Sequence, residues 1–448
     1  MTNIVFPESL KWGAATASYQ IEGGAEEGGR SLSIWDVFSR APGNVKNGDT
    51  GDHACNSYHL YKEDVKLLKD LGVDLYRFSI SWSRVLPDGN GELNEEGVQY
   101  YNNLINELID NGIEPMITLY HWDLPQILQE KGGWENRETV YDFLYYAEKM
   151  FEAYGDRVDN WITMNEPWCA SFLSNYLGVH APGKQDLQAG VDVAHNLMLA
   201  HGLAVQSFRK MMPEGKIGYA PNIGWLEPYS PSAEDRAACR RSMMWQKEWF
   251  MDPVFKGTYP ETLVKLFEKE NAFLRIEEGD MDLISQPIDF MGINFYSGAI
   301  GRYKEGEGLF DVEEIAPDER RTDIGWPIYA EGFYKALTDL RDTYGDIPIY
   351  ITENGACYNH GIEEDGRIHD QERIDYLKQH LTSLDRAIKA GVPIAGYIVW
   401  SLLDNFEWAE GYDKRFGLVH IHFDTFERTP KDSYYWYADT VKHHAFER

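Results

Sequence analysis

NEEGVQYYNNLINELIDNGIEPMITLYH, residues 94–121, holds the unit from which the fold can be read. Asn94 is placed to cap a helix, and Glu95 and Glu96 follow where a helix start carries partial positive charge. Val98, Tyr101, Leu104, Ile105, Leu108 and Ile109 recur with helical spacing, which puts them on one face. Gly112 supplies a residue that takes a left-handed stop without a Cβ clash. IEPMITLYH then runs apolar almost throughout, as a strand covered on both faces does.

The same punctuation returns along the chain. Gly72 precedes VDLYRFSIS, Gly155 precedes WITMN, and Gly215 precedes KIGYAPN. Gly345 precedes IPIYITEN, and Gly391 precedes VPIAGYIVW. KWGAAT near residue 11 and IDFMGINFY near residue 288 bring the strand candidates to eight. Amphipathic helices separate most of them; Ile374, Leu377, Leu381, Leu384 and Ile388 mark one. Alternating strands and helices imply an α/β fold with a parallel sheet, and eight repeats favour a closed (β/α)8 TIM barrel. An open doubly wound sheet would often carry a phosphate-binding glycine loop after its first strand. IEGGAEEGGR, residues 21–30, matches neither glycine-rich phosphate pattern and holds three glutamates, so it reads as a loop. No low-complexity or Pro/Ser linker divides the chain, and residues 1–448 read as a single barrel domain.

Composition narrows the partners. Seventy-three acids against 42 bases give a net charge of −31, a surface that repels nucleic-acid phosphates and anionic lipid. The N-terminus lacks a basic start followed by an apolar run, and no stretch of about 18 apolar residues crosses a bilayer. A soluble, cytoplasmic protein without nucleic-acid or membrane partners is expected. Cys55, Cys169, Cys239 and Cys357 form no C-x-x-C pair and have no His cluster beside them, so buried reduced thiols and no metal or cofactor are expected.

Barrel enzymes keep their chemistry at the C-terminal ends of the strands. Two acids stand there. Glu166 follows NWITMN, and Glu353 lies in PIYITENGAC, residues 348–357. Hydrolysis of a glycosidic bond needs a proton donor for the leaving oxygen and an anion facing the anomeric carbon; one protonated and one ionised carboxyl supply both. A charged Glu353 would raise the pKa of Glu166 towards the working pH. Pro167 is expected to hold Glu166 extended at its strand end, and Gly355 to allow a sharp turn after Glu353. Asn165 and Asn354, each beside one of these acids, can hold a carboxylate or a sugar hydroxyl without adding charge.

A pyranose has apolar faces and polar edges, so it suits aromatic platforms ringed by hydrogen-bonding groups. VWSLLDNFEWAEGYDKRFG, residues 399–417, offers Trp400, Glu407, Trp408 and Phe416, and LYHWDLP adds His121 and Trp122. Most aromatics in a barrel are core residues, and Cys169, three positions past Glu166, could line the wall of the site but reads more readily as packing.

The chain closely resembles glycoside hydrolase family 1, and specifically its bacterial β-glucosidases. FPESLKWGAATASYQIEGG, RFSISWSRVLP, TLYHWDLPQ, TMNEPW, INFYS, YITENGA and WSLLDNFEWAEGYDKRFGLVHI carry the resemblance from end to end. It implies a (β/α)8 barrel and a retaining double displacement, with Glu353 as nucleophile and Glu166 as acid and base. It also implies that Gln20, His121, Asn165, Glu407 and Trp408 bond the sugar hydroxyls and that Trp400 is the stacking platform. Tyr296 would bond Glu353, Asn294 would sit beside it, Arg77 would keep it ionised, and Phe416 would support the site. Trp168, Leu173, Asn222 and Trp326 match positions that line the leaving-group side, and a cis peptide is expected at Trp400–Ser401. Relatives that cleave 6-phosphorylated sugars replace the acid matching Glu407, so its presence points to plain glycosides. The expected partner is a small-molecule β-glucoside; self-association into a homo-oligomer is left open. The alternatives are a 6-phospho-β-glycosidase and a non-catalytic sugar-binding barrel.

Overall fold

The computed structural model describes residues 3–448. All eight expected strands form. They are β1 (Lys11–Ala15), β2 (Leu75–Ser79), β3 (Glu114–Tyr120) and β4 (Asn160–Asn165), then β5 (Lys216–Ala220), β6 (Phe290–Asn294), β7 (Ile349–Asn354) and β8 (Ile394–Trp400). Each pairs in parallel with its sequence neighbour, and β8 returns to β1, so the sheet closes into a barrel. Closure leaves no unpaired strand edge in that sheet.

Leu75, Met116, Ile162, Ala220, Phe290 and Ile398 come from six different strands and form one buried cluster with Trp400 and Phe416. A second, larger cluster takes the other strand faces and the helices packed on them. Near-continuous apolar strands are what this double burial requires. Outside the barrel, Asn3–Val5 pairs antiparallel with Ala445–Glu447 and ties the two ends of the chain together. A three-stranded sheet of Trp225–Pro228, Gly298–Tyr303 and Val312–Ile315 is built from the loops that follow β5 and β6.

The helix Glu95–Asp110 runs as its spacing predicts, and Gly112 takes φ +75°. Two details differ. The Asn94 side chain makes no cap; its amide donates to the carbonyls of Gly28 and Arg84 and ties the helix start to that glycine-rich loop. Ile109 is exposed, and Tyr100 is buried instead. All four cysteines are buried free thiols. Among the described residues no helix is long and apolar enough to cross a membrane, and no cluster of His, Cys, Asp and Glu is arranged to hold a metal ion.

Candidate active site

Glu166 and Glu353 line the same cavity, about 570 Å³ in volume, at the C-terminal mouth of the barrel. Their strands bend to aim them there. On β7, Tyr350 packs against the barrel-interior cluster, so alternation would turn Thr352 inward and Glu353 outward. The pairing register slips between Ile351 and Glu353 on one side and between Ile351 and Asn354 on the other, and both side chains face inward. β4 carries a similar irregularity between Ile162 and Asn165. Bulges of this kind re-aim side chains next to functional sites.

The two carboxylates have different neighbours. Glu353 is 3% exposed and Arg77 is 1% exposed, so theirs is a buried ion pair. Arg77 Nη1 donates to Glu353 Oε1 at 2.7 Å, and Tyr296 Oη donates to Oε2 at 2.6 Å. Burial pushes the Glu353 carboxyl up, but Arg77 and Tyr296 oppose it by holding the charged form. Glu166 has no cation in contact. Asn294 Nδ2 donates to its Oε1 at 2.8 Å, and the Cys169 thiol donates to Oε2 at 3.0 Å. Burial first, and the Glu353 charge second, push the Glu166 carboxyl up to about 7. On balance burial raises the Glu353 carboxyl too, but Arg77 and Tyr296 bond its charged form while Glu166 has no cation in contact, so of the pair Glu166 is the better placed to hold the proton.

Asn165 joins the halves of the site. Its Oδ1 accepts from Arg77 Nη2 at 2.6 Å and from Asn294 Nδ2 at 3.0 Å. Those bonds fix the amide orientation and aim Nδ2 at His121 Nε2, 3.1 Å away. His121 Nε2 is then an acceptor, so the ring proton sits on Nδ1, which is buried and has no protein partner. Burial and Arg77 hold the imidazole well below its usual pKa, so it stays neutral.

Gln20 Oε1 and Glu407 Oε2 are also buried without protein partners. Such groups are costly unless something bonds them, and a polyhydroxyl ligand would. Burial, then Glu353 and Glu166, push Glu407 up to about 8. Trp400 stacks near-parallel to His121 with centroids 5.8 Å apart, and Trp408 lies at 16° to the same ring. The cavity lining carries five carboxylates, Glu166, Glu314, Glu353, Glu407 and Glu410, with no Lys or Arg among its described residues.

The sequence model of Glycosyl hydrolase family 1 matches residues 2–446. The chain belongs to glycosyl hydrolase family 1. Beta-glucosidase A of Acetivibrio thermocellus is 49% identical over 448 residues, all of both chains. The 1,4-beta-D-glucan glucohydrolase of Thermotoga neapolitana is 47% identical over 438 residues, 98% of each. Among solved structures, the family 1 b-glucosidase from Thermotoga maritima superposes with a TM-score of 0.96 at 47% identity, covering 99% of this chain and 100% of that one. The same enzyme in complex with isofagomine lactam gives a TM-score of 0.96 at 46% identity, with the same coverage.

Most of the family 1 site positions expected from the sequence meet at this cavity. His121, Asn294, Tyr296, Trp400, Glu407, Trp408 and Phe416 line it with the two acids. So do Trp168, Leu173, Asn222 and Trp326 on the outer side. Gln20, Asn165 and Arg77 stand behind the lining. Gln20 is fully buried and its amide nitrogen donates to Asn405 Oδ1 and the Phe406 carbonyl. The cis Trp400–Ser401 peptide is present.

Four local expectations are corrected. Glu166 is not extended; it takes φ +45°, and its carbonyl accepts from the Ala170 N–H as Pro167 opens a helix. Gly355 is required by close approach rather than by a turn, because a Cβ there would lie 1.7 Å from the Trp400 carbonyl oxygen. Asn354 belongs to β7 and turns away from the carboxylates, donating to the Phe295 carbonyl at 2.7 Å and accepting from Tyr397 Oη. Cys169 does more than pack, since it bonds Glu166. Sequence reasoning missed Trp225, Met243 and Gln246, which line the cavity from elements outside the barrel repeat: Trp225 from the strand Trp225–Pro228, Met243 from the end of the helix Ala233–Met243, and Gln246 from the π-helical turn Met244–Glu248 that follows it. Arg77 had a usable signal: a cation inside the apolar strand LYRFS needs a buried partner.

The Gly355 contact gives a direct test of packing. Gly355→Ala must move backbone, and it is expected to lower unfolding stability by about 3 kcal/mol or more. A urea titration of the variant against the parent reads the change.

Proposed function

We propose that the protein is a retaining β-glucosidase. It removes one terminal non-reducing β-D-glucosyl residue from short cellobiose-like oligosaccharides and from aryl glucosides. The observation that carries this reading is the unequal carboxylate pair, one held ionised by Arg77 and Tyr296 and the other protonated near neutral pH.

In the first step a Glu353 oxygen attacks the anomeric carbon, the glycosidic C–O bond breaks, and the Glu166 proton passes to the leaving oxygen. The product is a glycosyl ester on Glu353. Esterification removes the Glu353 charge, so Glu166 binds a proton less tightly and can act as a base. It then takes a proton from a water that attacks the same carbon and frees Glu353. Two inversions give net retention. Gln20, His121, Asn165, Glu407 and Trp408 bond the sugar hydroxyls, and Trp400 supports its apolar face. Arg77 and Asn294 position the acids, and Phe416 supports the site from the cavity wall, edge-on to Tyr296. Trp168, Leu173, Asn222 and Trp326 face the leaving group.

The lack of any lining cation favours a neutral sugar over a phosphorylated one, because a phosphate there would find no Lys or Arg among the described lining residues and would face the charge of Glu353. Residues 1–448 act as one catalytic domain in the cytoplasm.

The test is a panel of p-nitrophenyl β-glycosides, cellobiose and cellobiose 6′-phosphate, with the product anomer followed by NMR at early time. Glucoside and cellobiose cleavage with β-glucose appearing first is expected. Cleavage of the phosphorylated sugar alone would mark a 6-phospho-β-glycosidase, and binding without cleavage would mark a non-catalytic barrel.

A further inference from the structure

Cys169 sits on the first turn after Glu166 and points back at it. Its Sγ lies 3.0 Å from Glu166 Oε2, both side chains are buried, and the thiol lines the reaction cavity. The other carboxylate oxygen, Oε1, is taken by the Asn294 amide at 2.8 Å. We propose that Cys169 is a positioning residue for the Glu166 proton: its S–H stabilises the ionised carboxylate and so sets the pH range in which Glu166 serves as acid and then as base. This rests on the role of Glu166 proposed above.

The direction follows from which groups face Glu166. Glu353 on β7 and Glu407 on the loop after β8 disfavour its charge, while Arg77 on β2 favours it. Tyr296 and His121 complete the surroundings and are neutral, the first because burial and Glu353 raise its pKa, the second because burial and Arg77 lower its own. Asn294 is an uncharged donor. Against this fixed background Cys169 adds one more donor. It cannot become a competing anion, because burial and the Glu166 charge raise its thiol pKa well above the usual value. A neutral thiol can favour the charged form of Glu166 only by hydrogen bonding.

Two opposite steps then share one dependence. Removing the donor makes Glu166 hold its proton more tightly. The basic limb of kcat/KM, where the acid form is lost, moves up in pH. The acid limb of deglycosylation, where the base form is needed, moves up as well. A looser site with no electrostatic change would lower rates and leave both limbs in place.

The experiment compares the parent with Cys169→Ala, Cys169→Val and Cys169→Ser. The basic limb is read from kcat/KM on p-nitrophenyl β-glucoside. The acid limb is read from kcat on 2,4-dinitrophenyl β-glucoside, whose fast departure makes deglycosylation limiting. Ala and Val should shift both limbs up by about half a pH unit. Ser, a stronger donor, should shift them little or downwards. Val fills the volume of the thiol with apolar atoms, so it reads the lost donor without a cavity. Limbs that coincide across the series overturn the proposal and leave the sulfur as packing. Glu166→Gln is run beside them: if its basic limb persists, the assignment of Glu166 itself has failed, whereas a lost limb there with an unmoved Cys169 series condemns the thiol role alone.

Discussion

Glu353→Gln is expected to fold, to bind glucosides and to lose roughly ten-thousand-fold or more of its turnover. The amide is nearly the shape of the carboxylate, so Tyr296 and the cavity wall keep their contacts. It cannot form the glycosyl ester, and that step has no substitute nearby. Arg77 is the point of risk, because removing one partner of a buried ion pair leaves a charge uncompensated. Here the site offers compensation. Arg77 also donates to the Thr352 carbonyl at 3.0 Å and to Asn165 Oδ1 at 2.6 Å. Glu166, freed from the repulsion of Glu353, ionises more readily and replaces the lost negative charge. Steady-state assay on p-nitrophenyl β-glucoside beside a thermal melt separates the two effects. Parent-like turnover would remove Glu353 as nucleophile; a collapsed melt would show that Arg77 was left uncompensated.

The barrel was legible because double burial writes itself plainly. A strand covered on both faces is apolar throughout, and the helix before it often stops at a glycine, as at Gly72, Gly112, Gly345 and Gly391, all with positive φ. The rim position of Glu166 and Glu353 follows from the same pattern, since each ends or nearly ends such a strand. Their aim does not follow. Alternation in β7 points Glu353 outward, and only a slipped register, which depends on the neighbouring strands, turns it in. The left-handed backbone at Glu166 was hidden for a similar reason. Pro167 bars helix at the preceding residue but does not choose between extended and left-handed geometry, and the choice comes from the Glu166 N–H bonding the Ala220 carbonyl on β5. Gly355 shows the same limit: its missing Cβ answers a carbonyl on a different strand. The outer wall was least legible. Trp225, Met243 and Gln246 reach the cavity from the small sheet and from helical turns inserted outside the eightfold repeat, so the strand–helix punctuation that locates the rim does not locate them.

Glu166→Ala divides the reaction by leaving group. General acid catalysis contributes about 10²–10⁴-fold, and only where the leaving oxygen needs a proton. Cellobiose loses a sugar alkoxide and should suffer the full factor. 2,4-Dinitrophenolate departs without help, so formation of the glycosyl ester from that substrate should stay within about tenfold of the parent. Deglycosylation then becomes slow for both, since water has lost its base, and the ester should accumulate as a burst. Azide needs no base. It attacks the anomeric carbon directly, expels the Glu353 carboxylate and forms β-glucosyl azide, and the space vacated by the Glu166 side chain gives it room. Added azide should therefore restore turnover of the dinitrophenyl substrate and leave cellobiose cleavage low, because the first step still lacks its proton. The Cys169 thiol, which bonds Glu166 Oε2 in the parent, has no acid to tune in this variant, so adding Cys169→Ala should change the azide-restored rate little. Equal losses on the two substrates, or no response to azide, would mean that Glu166 neither delivers the proton nor takes it back.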